Sequence, residues 1–184
     1  MSGFINFELN ILDILQLFLS YAWLNPFWVY ISWIGNSGVI WIILSIVLTI
    51  YPKTRVVGIM CLLSLAFSGI GTNLLLKNMF ARPRPFTYNN FPILIEAPWD
   101  HSFPSGHTSA AFSFGFVVLK QELTIGGYKI YKVLLVLATL MSLSRLVLYL
   151  HFPTDIIGAI GVAYLFAWSA IKLVSRWTEP KENV

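Results

Sequence analysis

The chain has 184 residues, 57% hydrophobic and only 11% charged, with twelve Lys and Arg against eight Asp and Glu for a net charge of +4. Soluble domains carry about a quarter charged residues, so this composition, with a mean hydropathy of +0.74, excludes disordered, collagen-like and nucleic-acid-binding chains. It describes an integral membrane protein, and the single cysteine, Cys61, cannot form an intrachain disulfide.

A helix crossing the hydrocarbon layer needs about 20 mostly apolar residues. Residues 4–24 place Asn6, Asn10, Asp13, Gln16 and Ser20 on one helical face, with Leu12, Leu15 and Leu19 on another beside Ile11 and Phe18. That pattern fits an interfacial amphipathic helix. It also fits a span whose polar stripe faces a bundle, with Asp13 then needing a partner. Asn25-Pro26 ends the segment either way. Apolar runs follow at 27–51, 56–76, 104–119, 133–150 and 156–174, and Gly35-Asn36-Ser37-Gly38 is expected to bend the first of them. The stretch 78–103, with Pro83, Pro85, Pro92 and Pro98, reads as an ordered loop. No Lys or Arg precedes Lys53, so the basic start of a secretory signal is missing. The expected organisation is one membrane-embedded domain over 1–184, with an amphipathic segment at 1–26.

The basic residues set the orientation. Lys53 and Arg55, then Lys120, Lys129 and Lys132, then Lys172, Arg176 and Lys181 fall on one side when spans are counted from residue 27, and that side should be cytoplasmic. Lys77, Arg82, Arg84 and Arg145 are left near the opposite face, against the trend. Anion binding is a reason to place cations there.

Three clusters lie at those outer ends: Lys77 through Arg84-Pro85, then Pro104-Ser105-Gly106-His107, then Ser144-Arg145 with His151 and Asp155. Lys77, Arg84 and Arg145 supply three cations where the dielectric is low, and the arginine fork suits phosphate oxygens. Ser105-Gly106 at a helix start would expose backbone N–H groups to an anion, and Ser105 also suits a helix cap. Ser144 has a hydroxyl to offer phosphate. His151 and Asp155 are four residues apart, with Pro153 suited to open a helix. A carboxylate accepting from one imidazole nitrogen would leave the other nitrogen free to attack phosphorus. His107 then serves as acid for the leaving oxygen and as base for water in a second step. No metal or other cofactor is needed.

In that order, Lys-x6-Arg-Pro, Pro-Ser-Gly-His and Ser-Arg-x5-His-x3-Asp resemble the three signatures of the type 2 phosphatidic acid phosphatase superfamily, and every specified position matches between Lys77 and Asp155. The resemblance implies an all-α, polytopic transmembrane bundle with a haloperoxidase-like motif core at 77–155. Six spans are expected, or five plus an N-terminal interfacial helix. It implies metal-independent dephosphorylation at the extracytoplasmic face of a bacterial plasma membrane. His151 would be the nucleophile, Asp155 its partner, His107 the acid, and Lys77, Arg84 and Arg145 the phosphate ligands. The soluble haloperoxidases that share these motifs are excluded by the hydropathy.

The expected substrate is a lipid phosphate or diphosphate held in the bilayer by its tail, with undecaprenyl diphosphate first and phosphatidylglycerophosphate or phosphatidic acid second. A lipid or anion transporter would explain the cations but leave the histidines idle, and a phosphotransferase would pass the phosphoryl group to another acceptor. Arg82 is expected at lipid headgroups or a second phosphate, Asp100 and His101 in solvent, and Trp23, Trp33, Trp99 and Trp177 at the membrane interfaces.

Overall fold

The computed structural model describes residues 3–178, and all regular structure among them is helical. Helix α1 covers Gly3–Leu19, and α2 (Asn25–Ile34) opens on Pro26. A short turn at Asn36–Gly38, with Ser37 at φ 53° and Gly38 at φ 67°, separates α2 from α3 (Val39–Ile50) and bends the pair by 42°. The break expected at Gly35–Gly38 is therefore a kink, made where left-handed backbone is cheap for glycine.

Helix α4 (Arg55–Ser68) runs through a wider, π-type segment at Gly69–Leu76 into the single turn α5 (Lys77–Phe80), which stops at Ala81 in the left-handed region. The loop beyond contains α6 (Phe86–Asn89) and leads to α7 (Gly106–Lys120), α8 (Ile130–Val147) and α9 (Pro153–Thr178).

By length and apolarity, three stretches are able to cross a membrane: Arg55–Phe80, Ile130–Val147 and Pro153–Thr178, with the bent α2–α3 pair as a fourth. Six are not reached on that measure. Helix α7 has only 15 residues, and α1 has 17 and carries Glu8 and Asp13. Ile70, Leu74, Ile157, Leu165 and Trp168 are exposed, an outer surface that suits lipid and not water.

Helix α7 is the centre of the bundle and packs against α4, α8 and α9. Ala111, Phe114, Val117 and Val118 are fully buried there, with Trp41 of α3 against the Phe114 ring. Small polar residues join α7 to α4. Ser64 Oγ donates to the Ser113 carbonyl at 3.1 Å, and the Ser109 hydroxyl lies 2.8 Å from both Ser68 Oγ and Thr72 Oγ1. Such bonds lock two helices in register where lipid offers no hydrophobic drive between them. The register matters, because it carries Lys77 and His107 to the same end of the bundle.

The basic loops lie at the other end. Residues 51–54 join α3 to α4, and 121–129 join α7 to α8, whereas α4 finishes, α7 starts, α8 finishes and α9 starts at the Lys77 end. Lys172 and Arg176 sit in the last turns of α9, away from that end, and Lys181 lies outside the described residues.

Candidate active site

A cavity of about 1180 Å³ opens at this end, and Lys77, Arg84, His107, Arg145 and His151 all line it. Five segments meet there: α5, the loop after it, the start of α7, the end of α8 and the α8–α9 turn. Gly106 brings the α7 start close to α4: a Cβ at that position would lie 2.7 Å from Asn73 Oδ1.

Lys77 and Arg84 are buried side chains that share one carboxylate. Asp100 is ion-paired to the Lys77 ammonium and, at 2.5 Å, to Arg84 Nη2. Burial works against the charged form of Asp100, but the two cations outweigh it and hold its carboxyl at about 2. The expectation of a solvent-exposed Asp100 is thus corrected: the loop folds inward because two buried cations need an anion, and they take the one within reach. His101, expected in solvent, is half-buried and lines the cavity.

Arg84 is held on its other edges by main-chain oxygens, with Nε donating to the Asp100 carbonyl and Nη1 to the Leu150 carbonyl, both at 2.8 Å. Its Nη1 also lies 3.2 Å from His151 Nε2. His151 Nδ1 is 2.8 Å from the Ser102 carbonyl. A carbonyl only accepts, so Nδ1 carries the proton and Nε2 presents its lone pair toward the Arg84 N–H. His151 lies between α8 and α9. Burial, followed by Arg84, Arg145 and Lys77, pushes its imidazole well below the ordinary histidine range, against the Ser102 carbonyl.

Asp155 is fully buried beneath this turn. Its nearest approach to the imidazole is 3.6 Å, to Nδ1, longer than a hydrogen bond. Its oxygens are committed elsewhere: Oδ2 accepts from Ser102 Oγ at 2.5 Å and from the Phe152 N–H at 2.8 Å, and Oδ1 accepts from Arg82 Nη1 at 2.6 Å. The Phe152 contact is the acidic half of a capping box, three residues into α9 behind Pro153. Ser102 thus joins the two residues, with its hydroxyl on Asp155 and its carbonyl on His151.

Arg82 does not meet lipid headgroups. Its guanidinium donates to Glu8 Oε2 at 2.5 Å and to Thr154 Oγ1 at 2.7 Å as well as to Asp155, and it lies 4.0 Å from the Phe152 ring centroid. Glu8, buried on α1, also accepts from the Thr154 N–H and hydroxyl. Leu9 and Leu12 of α1 pack with Tyr149 and Phe152 over the same turn. Asp13 accepts from the Tyr149 hydroxyl at 2.8 Å. The amphipathic segment therefore supports the His151 turn from outside.

Across the cavity, His107 Nε2 lies 3.2 Å from the Ser32 carbonyl and 3.1 Å from Asn36 Oδ1. Arg145 donates from Nη1 to Ser32 Oγ, and its buried Nε has no hydrogen-bond partner among the described residues. Ser105 and Ser144 do not line the cavity. The Ser105 hydroxyl accepts from the Thr108 N–H as a cap on α7, and the Ser144 hydroxyl donates to the Met141 carbonyl within α8. Glu8, Ser32, Asn36, Asp100 and Ser102 belong to none of the three motifs. Only the capping and break signals near them could have drawn attention to them.

The PAP2 superfamily profile matches residues 57–179. A protein of Sulfolobus acidocaldarius named undecaprenyl-diphosphatase is 33% identical over 138 residues, which is 74% of this chain and 64% of that protein. Undecaprenyl-diphosphatase BcrC of Bacillus subtilis is 30% identical over 101 residues, 55% of this chain and 50% of its own length. The chain thus spans between half and two thirds of these curated relatives. A crystal structure described as the first transmembrane PAP2 type phosphatidylglycerolphosphate phosphatase from Bacillus subtilis superposes with a TM-score of 0.77 at 24% identity, covering 99% of this chain and 90% of that one. This likeness concerns the fold.

Proposed function

Since the chain belongs to the PAP2 superfamily, we propose that it removes a phosphate from a lipid phosphate or diphosphate through a phosphohistidine on His151. The observation that carries this reading is the meeting of three cations and two imidazoles in one cavity, with Arg84 Nη1 3.2 Å from His151 Nε2. A binding site for anions needs only the cations; the imidazoles supply a nucleophile and a proton carrier.

On this reading the phosphate displaces the Asp100 carboxylate and takes Lys77 and Arg84 from it. Arg145, with its unpartnered Nε, is a third ligand already free of any carboxylate. Backbone N–H groups at Gly106 and the start of α7 add a dipole of the right sign. His151 Nε2 then attacks phosphorus as the P–O bond breaks, and His107 gives a proton to the departing oxygen. In the second step water attacks phosphorus, its proton goes to His107, and the P–N electrons return to His151. Charge develops on the phosphoryl oxygens throughout, where fixed donors are worth most. Asp155, Ser102, Arg82 and Glu8 act by holding His151 in its tautomer and place.

The substrate reaches the cavity from the bilayer with its tail still in lipid. The face is the one opposite the basic loops, hence extracytoplasmic in a bacterial plasma membrane. Undecaprenyl diphosphate is the first candidate, supported by the names of the two relatives; phosphatidylglycerophosphate and phosphatidic acid come second. The test is phosphate release by detergent-purified protein in the presence of EDTA, from diphosphate and monophosphate headgroups on isoprenoid and glycerol tails. The wild type is expected to release phosphate, and His151→Ala to lose at least about 1000-fold. Comparable release by that variant overturns the reading.

A further inference from the structure

Resting on that reading, we propose that Asn36 is a positioning residue for His107: it holds the imidazole by Nε2 so that Nδ1 gives its proton to the leaving oxygen. Asn36 lies outside all three motifs, 71 residues before His107.

The geometry is specific. The Ser32 carbonyl, 3.2 Å from Nε2, only accepts, so Nε2 carries a hydrogen. Asn36 must then present Oδ1 to the same N–H, at 3.1 Å. Two acceptors on one nitrogen fix the plane of the ring. The other ring nitrogen, Nδ1, makes no hydrogen bond among the described residues, and His107 lines the cavity. The kink between α2 and α3 is what allows this. Ser37 and Gly38 are both in the left-handed region, so the span turns at this level and carries Asn36 across to α7. Ser32, one turn earlier, receives Arg145 on its hydroxyl and His107 on its carbonyl. One bend thereby sets the relative position of the acid and a phosphate ligand.

On this proposal His107 takes up its second proton from solvent as the phosphate binds and its negative charge offsets Arg145 and Lys77, leaving Nε2–H on Asn36 and Ser32 and Nδ1–H toward substrate. As the P–O bond breaks, its electron pair takes the Nδ1 proton, and the Nε2 proton does not move. In the second step Nδ1 recovers a proton from water. A neutral amide suits this cycle because it orients both protonation states. A carboxylate in its place would add negative charge beside the incoming phosphate.

The test uses leaving groups. A departing nitrophenolate needs no proton, whereas a departing alkoxide does. The values of kcat/KM for p-nitrophenyl phosphate and a short-chain alkyl phosphate report the chemistry up to the phosphohistidine. With the purified full chain, Asn36→Ala is expected to lower the alkyl value by about 10- to 100-fold and the aryl value by less than about 3-fold. His107→Ala should show the same selectivity, more strongly. Asn36→Asp, which keeps an acceptor oxygen, should bring the ratio of the two values back toward wild type while raising KM. An Asn36→Ala loss equal for both substrates, with no recovery of the ratio in Asn36→Asp, overturns the proposal. If His107→Ala is selective and Asn36→Ala is not, the proposal fails and the phosphatase reading stands. If His107→Ala itself is unselective, both fail.

Discussion

On the wall that carries His151, the polar groups are bound by charge: Glu8 and Asp155 enclose Arg82, and Asp155 reaches back to Ser102 and the start of α9. On the wall that carries His107, the holding groups are neutral, a carbonyl and an amide at a bend in a span. The contrast follows what each imidazole has to do. A nucleophile keeps one tautomer and one position throughout: the Ser102 carbonyl fixes the tautomer, and the buried ion pairs around Asp155 hold the surrounding loop and turn in place at the cost of desolvation. A proton carrier alternates between two charge states, and a carboxylate hydrogen-bonded to it would favour the protonated one.

The contrast can be broken most directly at Arg82. Arg82→Ala leaves Glu8 and Asp155 buried without their cation, and a loss of about 3–5 kcal/mol in unfolding free energy is expected, measured by denaturant titration in detergent. Arg82→Lys should recover part of it. A cost below about 1 kcal/mol would show that the charged wall is not held by this pair.

A smaller effect is expected at Asp100, the carboxylate that Lys77 and Arg84 share. Asp100→Asn removes the internal competitor, so inhibition by inorganic phosphate should tighten by roughly 10-fold, or about 1.4 kcal/mol. An unchanged inhibition constant would mean that substrate does not compete with that side chain.

The finest difference lies in pH. Burial first, then the three cations, disfavour protonated His151, so the neutral form persists to lower pH than in a free imidazole. The acid limb of kcat/KM, where neutral His151 is lost, should therefore lie below the unperturbed value of about 6.5. A limb at or above that value would show that burial and these cations do not govern His151.

Much of the cavity could be read in advance because its residues announce themselves locally. Lys77, Arg84, Arg145, His107 and His151 are polar residues at the ends of apolar runs, at spacings that match the family signatures. Pro153 and Asp155 mark a helix start, and Gly35–Gly38 marks a break. What holds these residues was not legible, because each support is made across a long sequence separation. Glu8 reaches Arg82 over 74 residues and Thr154 over 146. Asp100 looks like any polar loop residue until α5 and the Arg84 segment converge on it. Arg82 and Arg84 are two positions apart and chemically identical; the Lys-x6-Arg-Pro spacing singles out Arg84 for the cavity, but the turn of Arg82 toward Glu8 on α1 follows only from the path of the loop.

Ser102 touches His151 through a main-chain oxygen, and that has a consequence for experiment and for evolution alike. Every amino acid has this atom, so scanning by alanine can loosen the loop but never delete the acceptor. The tautomer of the attacking imidazole is written into the course of the polypeptide, and sequences that differ at this position are free to preserve it.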